Sequence, residues 1–215
     1  MTLEVTLAQQ FAEIRDQGQR PTCVAFAASD LHTFVRSDHQ PLSVEYAYYF
    51  AVQRSPTPDP RSGVTIDAIR TAIERDGQPV EHDWPYLPAL PTDLMKWKPP
   101  DSVRTVFRRS STAKISAPPS DIADLIKQGR APLLGIAITA SFFMPNPSGV
   151  VSEMPIEPAV GTHAVLGIGL GQSHGEQFIL VRNSWGVSWG MKGTAWLSTE
   201  YLQRRLIVVM LMEQP

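Results

Sequence analysis

Helical signals in this chain stop where strand signals begin, and prolines crowd the seam between them. In the first third, Val24, Ala27, Ala28, Leu31 and Val35 recur at intervals of three and four. That is the stripe of an amphipathic helix over 22 to about 36, with Thr22 as its expected N-cap. Ser43 opens a second helical run, Val-Glu-Tyr-Ala-Tyr-Tyr-Phe-Ala-Val, and Thr65 a third, Ile-Asp-Ala-Ile-Arg-Thr-Ala-Ile-Glu, which Gly77 should stop. Eight prolines between Pro79 and Pro119 then fix φ and remove amide donors so often that no long regular element fits. After one short helix at 120–128, closed by Gly129, the apolar runs at 133–139, 162–170, 177–182, 193–197 and 206–212 read as strands, several of them buried. Helices first and strands later predict an α+β protein with segregated lobes.

Composition narrows the class of partner. The 215 residues are 43% hydrophobic, enough for a real core. Nineteen basic and 21 acidic residues are interspersed rather than blocked, for a net charge of -2, so neither nucleic acid nor an anionic membrane is an expected partner. No apolar run approaches the roughly 18 to 20 residues of a membrane span, and Met-Thr-Leu-Glu-Val does not open like a signal peptide. A single cysteine excludes an intramolecular disulfide, which suits a reducing compartment. Cytoplasm is the default expectation, with delivery outside the cell by a route that needs no signal peptide left open. There is no internal repeat, and Pro-Thr-Pro-Asp-Pro at 56–60 reads as a surface loop.

Cys23 falls in the first turn of the first expected helix, where unsatisfied backbone N–H groups and the helix dipole favour a thiolate. A lone cysteine is also commonly a small buried hydrophobe. His163 stands at the start of an apolar strand, 140 residues after Cys23, inside the roughly 130 to 150 that separates the pair in some cysteine peptidases. Taken alone it reads as a strand-end histidine satisfied by backbone. Asn183, one of only two asparagines, ends another apolar run before Ser-Trp-Gly, where a turn-forming role is the plain alternative. His32, His39, His82 and His174 are scattered without ligand spacing, so no metal is expected. Gly167-x-Gly169-x-Gly171 lies within a strand with no helix after it, which does not suit a dinucleotide. The Arg108-Arg109 pair reads as a solvated strand end.

Together these segments resemble papain-like cysteine peptidases of a bacterial type. The run from Asp16 to Phe26, Asp-Gln-Gly-Gln-Arg-Pro-Thr-Cys-Val-Ala-Phe, is similar to the family's nucleophile motif, with Gln17 six residues before Cys23. Gly161-Thr162-His163-Ala164-Val165 resembles the histidine motif. The segment 178–190, with Asn183-Ser184-Trp185-Gly186 and Trp189-Gly190, resembles the asparagine motif. Weaker echoes are Leu42-Ser43 and Trp84-Pro85-Tyr86.

The resemblance implies a single catalytic domain over 1–215, helical over about 14–100 and strand-rich over about 101–215, with the active site in a cleft. It implies Cys23 as nucleophile, His163 as base and acid, Asn183 as orienter of the ring, and Gln17 with the Cys23 N–H as oxyanion donors. Trp185 would cover the His163–Asn183 bond and, with Gly63, Tyr86 and Thr162, touch substrate. Residues around 84–86, 142–144 and 160–162 would line an apolar pocket or pack between lobes. The expected reaction is amide hydrolysis of a peptide or protein through an acyl-enzyme, without cofactor and with a regulatory protein as a further candidate partner. Acyl transfer from the same thioester, or a silent peptide-binding module, are the alternatives.

Departures from the family pattern are local. Arg20 stands where a disulfide cysteine is usual, Pro21 replaces a small residue, and Val24 replaces a tryptophan. The Cys- and Gly-rich substrate loop is reduced to Arg61-Ser62-Gly63. With 22 residues ahead of Cys23, no inhibitory propeptide is expected.

Overall fold

The computed structural model describes residues 1–115, 117–152 and 156–214. They group into two compact units, Met1–Asp16 with Ala113–Leu211, and Gln17–Thr112 with Met212–Pro215.

The second of these is the helical unit. Helix α1 (Cys23–Arg36) buries Phe26, Leu31, Phe34 and Val35 together with three alanines. Helices α2 (Val44–Gln53) and α3 (Ile66–Arg75) begin where their caps predict: Ser43 Oγ accepts the Tyr46 N–H at 3.1 Å, and Thr65 Oγ1 accepts that of Ala68 at 3.1 Å. Gly77 ends α3 at φ 78°, and a Cβ there would meet the Phe107 carbonyl at 2.7 Å. It therefore serves both as a left-handed stop and as the point where Gln78 and Phe107 exchange backbone bonds of 2.8 Å. Thr22 departs from expectation, for it precedes α1 without any side-chain cap bond. Among the described residues, the proline-rich stretch holds short 3-10 turns at Glu81–Asp83 and Leu94–Lys96 and, near its end, a strand of 5 residues at Ser111–Ile115.

A buried polar network crosses this unit. Gln78 Nε2 donates to Ser29 Oγ at 2.6 Å and to the Ser43 carbonyl at 3.0 Å, so Gln78 Oε1 is left to accept from His32 Nδ1 at 2.9 Å. That fixes the proton on Nδ1 and leaves Nε2 bare in the core. Burial, the largest influence, pushes the His32 pKa down to about 4 against the support of Gln78.

The other unit is built on a sheet of seven strands among the described residues, β1 (Thr2–Thr6), β2 (Ser111–Ile115), β3 (Leu133–Ile138), β4 (Gly161–Ser173), β5 (Glu176–Arg182), β6 (Thr194–Ser198) and β7 (Leu206–Met212), in the order β2-β7-β3-β4-β5-β6. Strand β4 is its spine. Strand β3 pairs with β4 from Leu166 to Gly161, β1 pairs with it from Gly169 to Gln172, and β5 runs antiparallel to it from Leu166 to Ser173. The alternating glycines of β4 answer to packing: a Cβ at Gly169 would meet the Val5 carbonyl at 2.8 Å, and one at Gly171 the Trp196 ring at 2.8 Å. Helices α4 (Pro119–Lys127) and α5 (Thr199–Arg205) complete the unit, the latter capped by Ser198 on the Tyr201 N–H at 3.0 Å.

Strand β1 is the main departure from the expected order of helices first and strands later. Strand β2 and helix α5 were also not expected, being short and carrying mixed, largely polar sequences. No helix among the described residues is long and apolar enough to cross a membrane.

Candidate active site

In the helical unit, the chain before α1 is folded back on itself so that Cys23 is the first helical residue. The Arg20 carbonyl gathers the turn, accepting the Thr22 N–H at 2.8 Å and Gln17 Nε2 at 2.9 Å. Gln17 is thus a buried residue whose carboxamide has a fixed place, with one of its two amide hydrogens on Arg20. Tyr86 braces the same turn: its hydroxyl donates to the Gln17 carbonyl at 2.8 Å, so Thr22 Oγ1 at 3.0 Å must donate to Tyr86. The Thr22 backbone, at φ -107° and ψ 13°, also lies outside the extended region from which Ser43 and Thr65 cap their helices. The Tyr86 ring meets Phe26 edge-on at 4.7 Å, and burial raises its phenol pKa above the ordinary value, keeping it a donor. Gly63, at φ 77°, lies against Pro21, where a Cβ would come 3.2 Å from the carbonyl. Cys23 itself is partly exposed and not disulfide-bonded.

In the strand-rich unit, His163 is the third residue of β4, opposite Ile136 of β3, and Asn183 follows the last residue of the adjacent β5. Asn183 is held by its N–H on the Gly193 carbonyl at 3.0 Å. Its Oδ1 accepts the Ser184 N–H at 2.8 Å, which identifies that atom as oxygen, and the same atom lies 2.6 Å from His163 Nε2. His163 must therefore carry its proton on Nε2 and present a lone pair on Nδ1. Burial lowers the ring's pKa to about 4, opposed by the Asn183 bond.

Trp185 packs on the His163 ring at 4.5 Å and stacks on Phe143 at 5.1 Å, only 14° from parallel. Phe142 fills the space between His163, Trp185 and Trp189, and the Trp189 Nε1–H donates to its carbonyl at 3.1 Å. The aromatic cover over the His163–Asn183 bond thus comes from two stretches, 142–143 and 185–189. The glycines of the second stretch are structural: a Cβ at Gly190 would run into the Thr194 carbonyl, and one at Gly186 would sit 2.9 Å from the Asp16 carboxylate.

Of the other residues singled out by sequence, Thr162 is exposed on β4 opposite Ala137. Tyr86 holds the turn before Cys23 through its hydroxyl. Trp84 is buried against Tyr46 and Tyr49 in the helical core. Residues that sequence reasoning passed over are Ser184, whose N–H sets the Asn183 carboxamide, and Glu45, a fully buried carboxylate at the second residue of α2. An acidic residue in a first helical turn ordinarily reads as solvated, and only the polar groups gathered around Glu45 distinguish it. No cluster of three or more metal-ligating side chains occurs among the described residues.

A family model described as papain family cysteine protease matches residues 4–207. An uncharacterized peptidase C1-like protein of Acanthamoeba polyphaga mimivirus is 28% identical over 210 residues, 88% of this chain and 65% of the relative. Cysteine proteinase 3 of Dictyostelium discoideum is 29% identical over 133 residues, 61% of this chain and 38% of the relative. The chain thus spans less than two thirds of the length of either curated relative. Among solved structures, xylellain, a cysteine protease from Xylella fastidiosa, superposes with a TM-score of 0.78 at 20% identity, covering 100% of this chain and 87% of that one.

Proposed function

Because the chain belongs to the papain family of cysteine proteases and has its α+β fold, we propose that it hydrolyses peptide bonds through an acyl-enzyme on Cys23. The observation that carries the reading is the His163–Asn183 pair, whose tautomer leaves Nδ1 as the basic nitrogen of a ring shielded by Trp185. The Cys23 Sγ, as thiolate, adds to the scissile carbonyl carbon and moves the π pair onto oxygen. The Gln17 amide and the Cys23 N–H receive that oxyanion. Collapse expels the amine, which takes its proton from His163 Nδ1, and a thioester remains. Water then attacks the thioester while Nδ1 accepts its proton, releasing the acid and restoring the thiolate.

Burial alone would keep His163 neutral at pH 7, so the imidazolium in this scheme exists only with the Cys23 thiolate as its counter-ion. The reading requires the sulfur and Nδ1 to act on one carbonyl, and takes the two units as a single catalytic domain. Peptides or proteins are the substrates, and a reducing, cytoplasmic setting suits the lone thiol.

Intact mass after treatment with an epoxide inhibitor of thiol peptidases, alongside turnover of a peptide substrate, tests the reading. One adduct per chain, absent from Cys23→Ala and with turnover lost in both Cys23→Ala and His163→Ala, is the expected result. Turnover persisting in purified Cys23→Ala would overturn it.

A further inference from the structure

A basic side chain three residues before a nucleophile is expected in solvent, yet Arg20 is 6% exposed and its partner Glu45 is fully buried. One Arg20 terminal nitrogen donates to Glu45 Oε2 at 2.6 Å and the other to Oε1 at 2.9 Å, a two-pronged pairing. The first also donates to the Leu87 carbonyl at 2.6 Å. Glu45 accepts two further bonds, from Trp97 Nε1 at 2.6 Å and from the Leu87 N–H at 3.0 Å. The guanidinium lies 5.4 Å from the Tyr48 ring and 5.0 Å from that of Tyr86. Four donors satisfy the Glu45 carboxylate in the core, while on Arg20 the two terminal nitrogens are paired and Nε is buried without a partner.

Such a pair is a poor way to gain stability, because desolvating two charges offsets most of their attraction and well-packed apolar residues commonly do as well. What it supplies is direction. The planar fork accepts only a narrow range of arginine placements, and the Arg20 main chain is the part that matters, since its carbonyl receives both Gln17 Nε2 and the Thr22 N–H. Side chain and carbonyl belong to one residue, so fixing the first fixes the second. Glu45, on α2, thereby reaches the turn that ends in Cys23.

We propose that Arg20 and Glu45 are positioning residues: the buried pair sets the Arg20 carbonyl and, through it, orients the Gln17 amide and the first turn of α1 for the oxyanion. This rests on the roles of Gln17 and Cys23 proposed above. In place of a covalent crosslink, the nucleophile turn is held by a charge pair, whose hold does not depend on redox conditions.

The test uses the intact chain with Glu45→Gln, Arg20→Lys and the paired Arg20→Met/Glu45→Leu, read by amide hydrogen exchange and by kcat and KM on a peptide substrate. Glu45→Gln should raise exchange at 17–23 by about tenfold or more while leaving α3 unchanged. It should lower kcat by roughly tenfold or more with KM within about twofold, and Gln17→Ala should cost much less in that background than in the parent. Arg20→Lys, which keeps the charge but loses the fork, should retain only part of the parental kcat. The paired apolar variant regains folding stability without regaining kcat, which separates positioning from stability.

Parental kcat and parental exchange at 17–23 in the paired variant would overturn the proposal. So would a Glu45→Gln chain that melts earlier but turns over normally per folded molecule. If the peptidase reading itself is wrong, the parent shows no Cys23-dependent turnover, and the exchange measurement alone still decides whether the pair governs the turn.

Discussion

Asn183 uses one oxygen for two bonds and leaves its other polar atom stranded: Oδ1 serves Ser184 and His163, while Nδ2 is buried with no partner. An orphaned amide of this kind costs about 1–3 kcal/mol, which is tolerable where the oxygen is needed. The bond from His163 raises that ring's affinity for a proton against burial, which lowers it. With the thiol removed by Cys23→Ala, Asn183→Ala takes away that support, so the His163 titration followed by NMR, expected near pH 4, should move to still lower pH. Asn183→Asp, whose carboxylate favours imidazolium, should move it up. Profiles of the two folded variants that shift in the same direction would refute this account. The His163–Asn183 contact was legible only through the resemblance of the two motifs to those of the family, because each residue alone reads as a strand-end or turn residue. The Arg20–Glu45 pair was not, because its two halves are 25 residues apart and each, alone, has the look of an ordinary surface charge.

Helices were the readable elements. Thr65 and Ser43 announce α3 and α2 through the chemistry of their hydroxyls, but they carry different loads. Thr65 Oγ1 accepts one N–H. Ser43 Oγ accepts from Tyr46 and also donates to the Trp84 carbonyl at 2.7 Å, in a fully buried place. Thr65→Ala should cost about 1 kcal/mol, the usual loss for a cap, and Ser43→Ala roughly 2 kcal/mol, because a buried carbonyl is orphaned as well. Urea unfolding of the two variants measures the difference, and equal losses would show that the Ser43–Trp84 bond contributes nothing net. Elements that escaped the sequence reading share a cause. Strand β1, Thr-Leu-Glu-Val-Thr, is largely exposed and β2 nearly so, so neither carries the apolar run by which β3, β4 and β5 declare themselves. Their places come from pairing with distant chain, which local periodicity does not encode.

At the scale of the whole molecule, two buried imidazoles govern its response to acid. His32 and His163 both have pKa values pushed down by burial to about 4, against 6.5 when exposed. Above pH 6.5 unfolding changes the net proton count at neither site, since the imidazolium proposed for His163 carries the proton given up by Cys23, and no stability depends on them. As pH falls from 6.5 to about 4 the unfolded chain takes up protons that the folded rings refuse, so the part of the stability that depends on these rings declines through that window and levels off below it. Each ring is worth on the order of 3 kcal/mol at the low end. His32→Gln should remove about half of the decline in urea midpoints between pH 6.5 and 4, and an unchanged pH dependence would contradict the burial account. The pairing of β1 with β4 has a consequence of another kind. Met1–Asp16 belongs with Ala113–Leu211, whereas Gln17–Thr112 has a hydrophobic core of its own. On the ribosome, the helical stretch can therefore emerge and collapse while the opening residues wait for Gly169 to Gln172, more than 160 residues downstream, to be polymerised. Strand β1 is translated long before its neighbour β4, and until β4 is made it is an unpaired edge tethered to a growing chain.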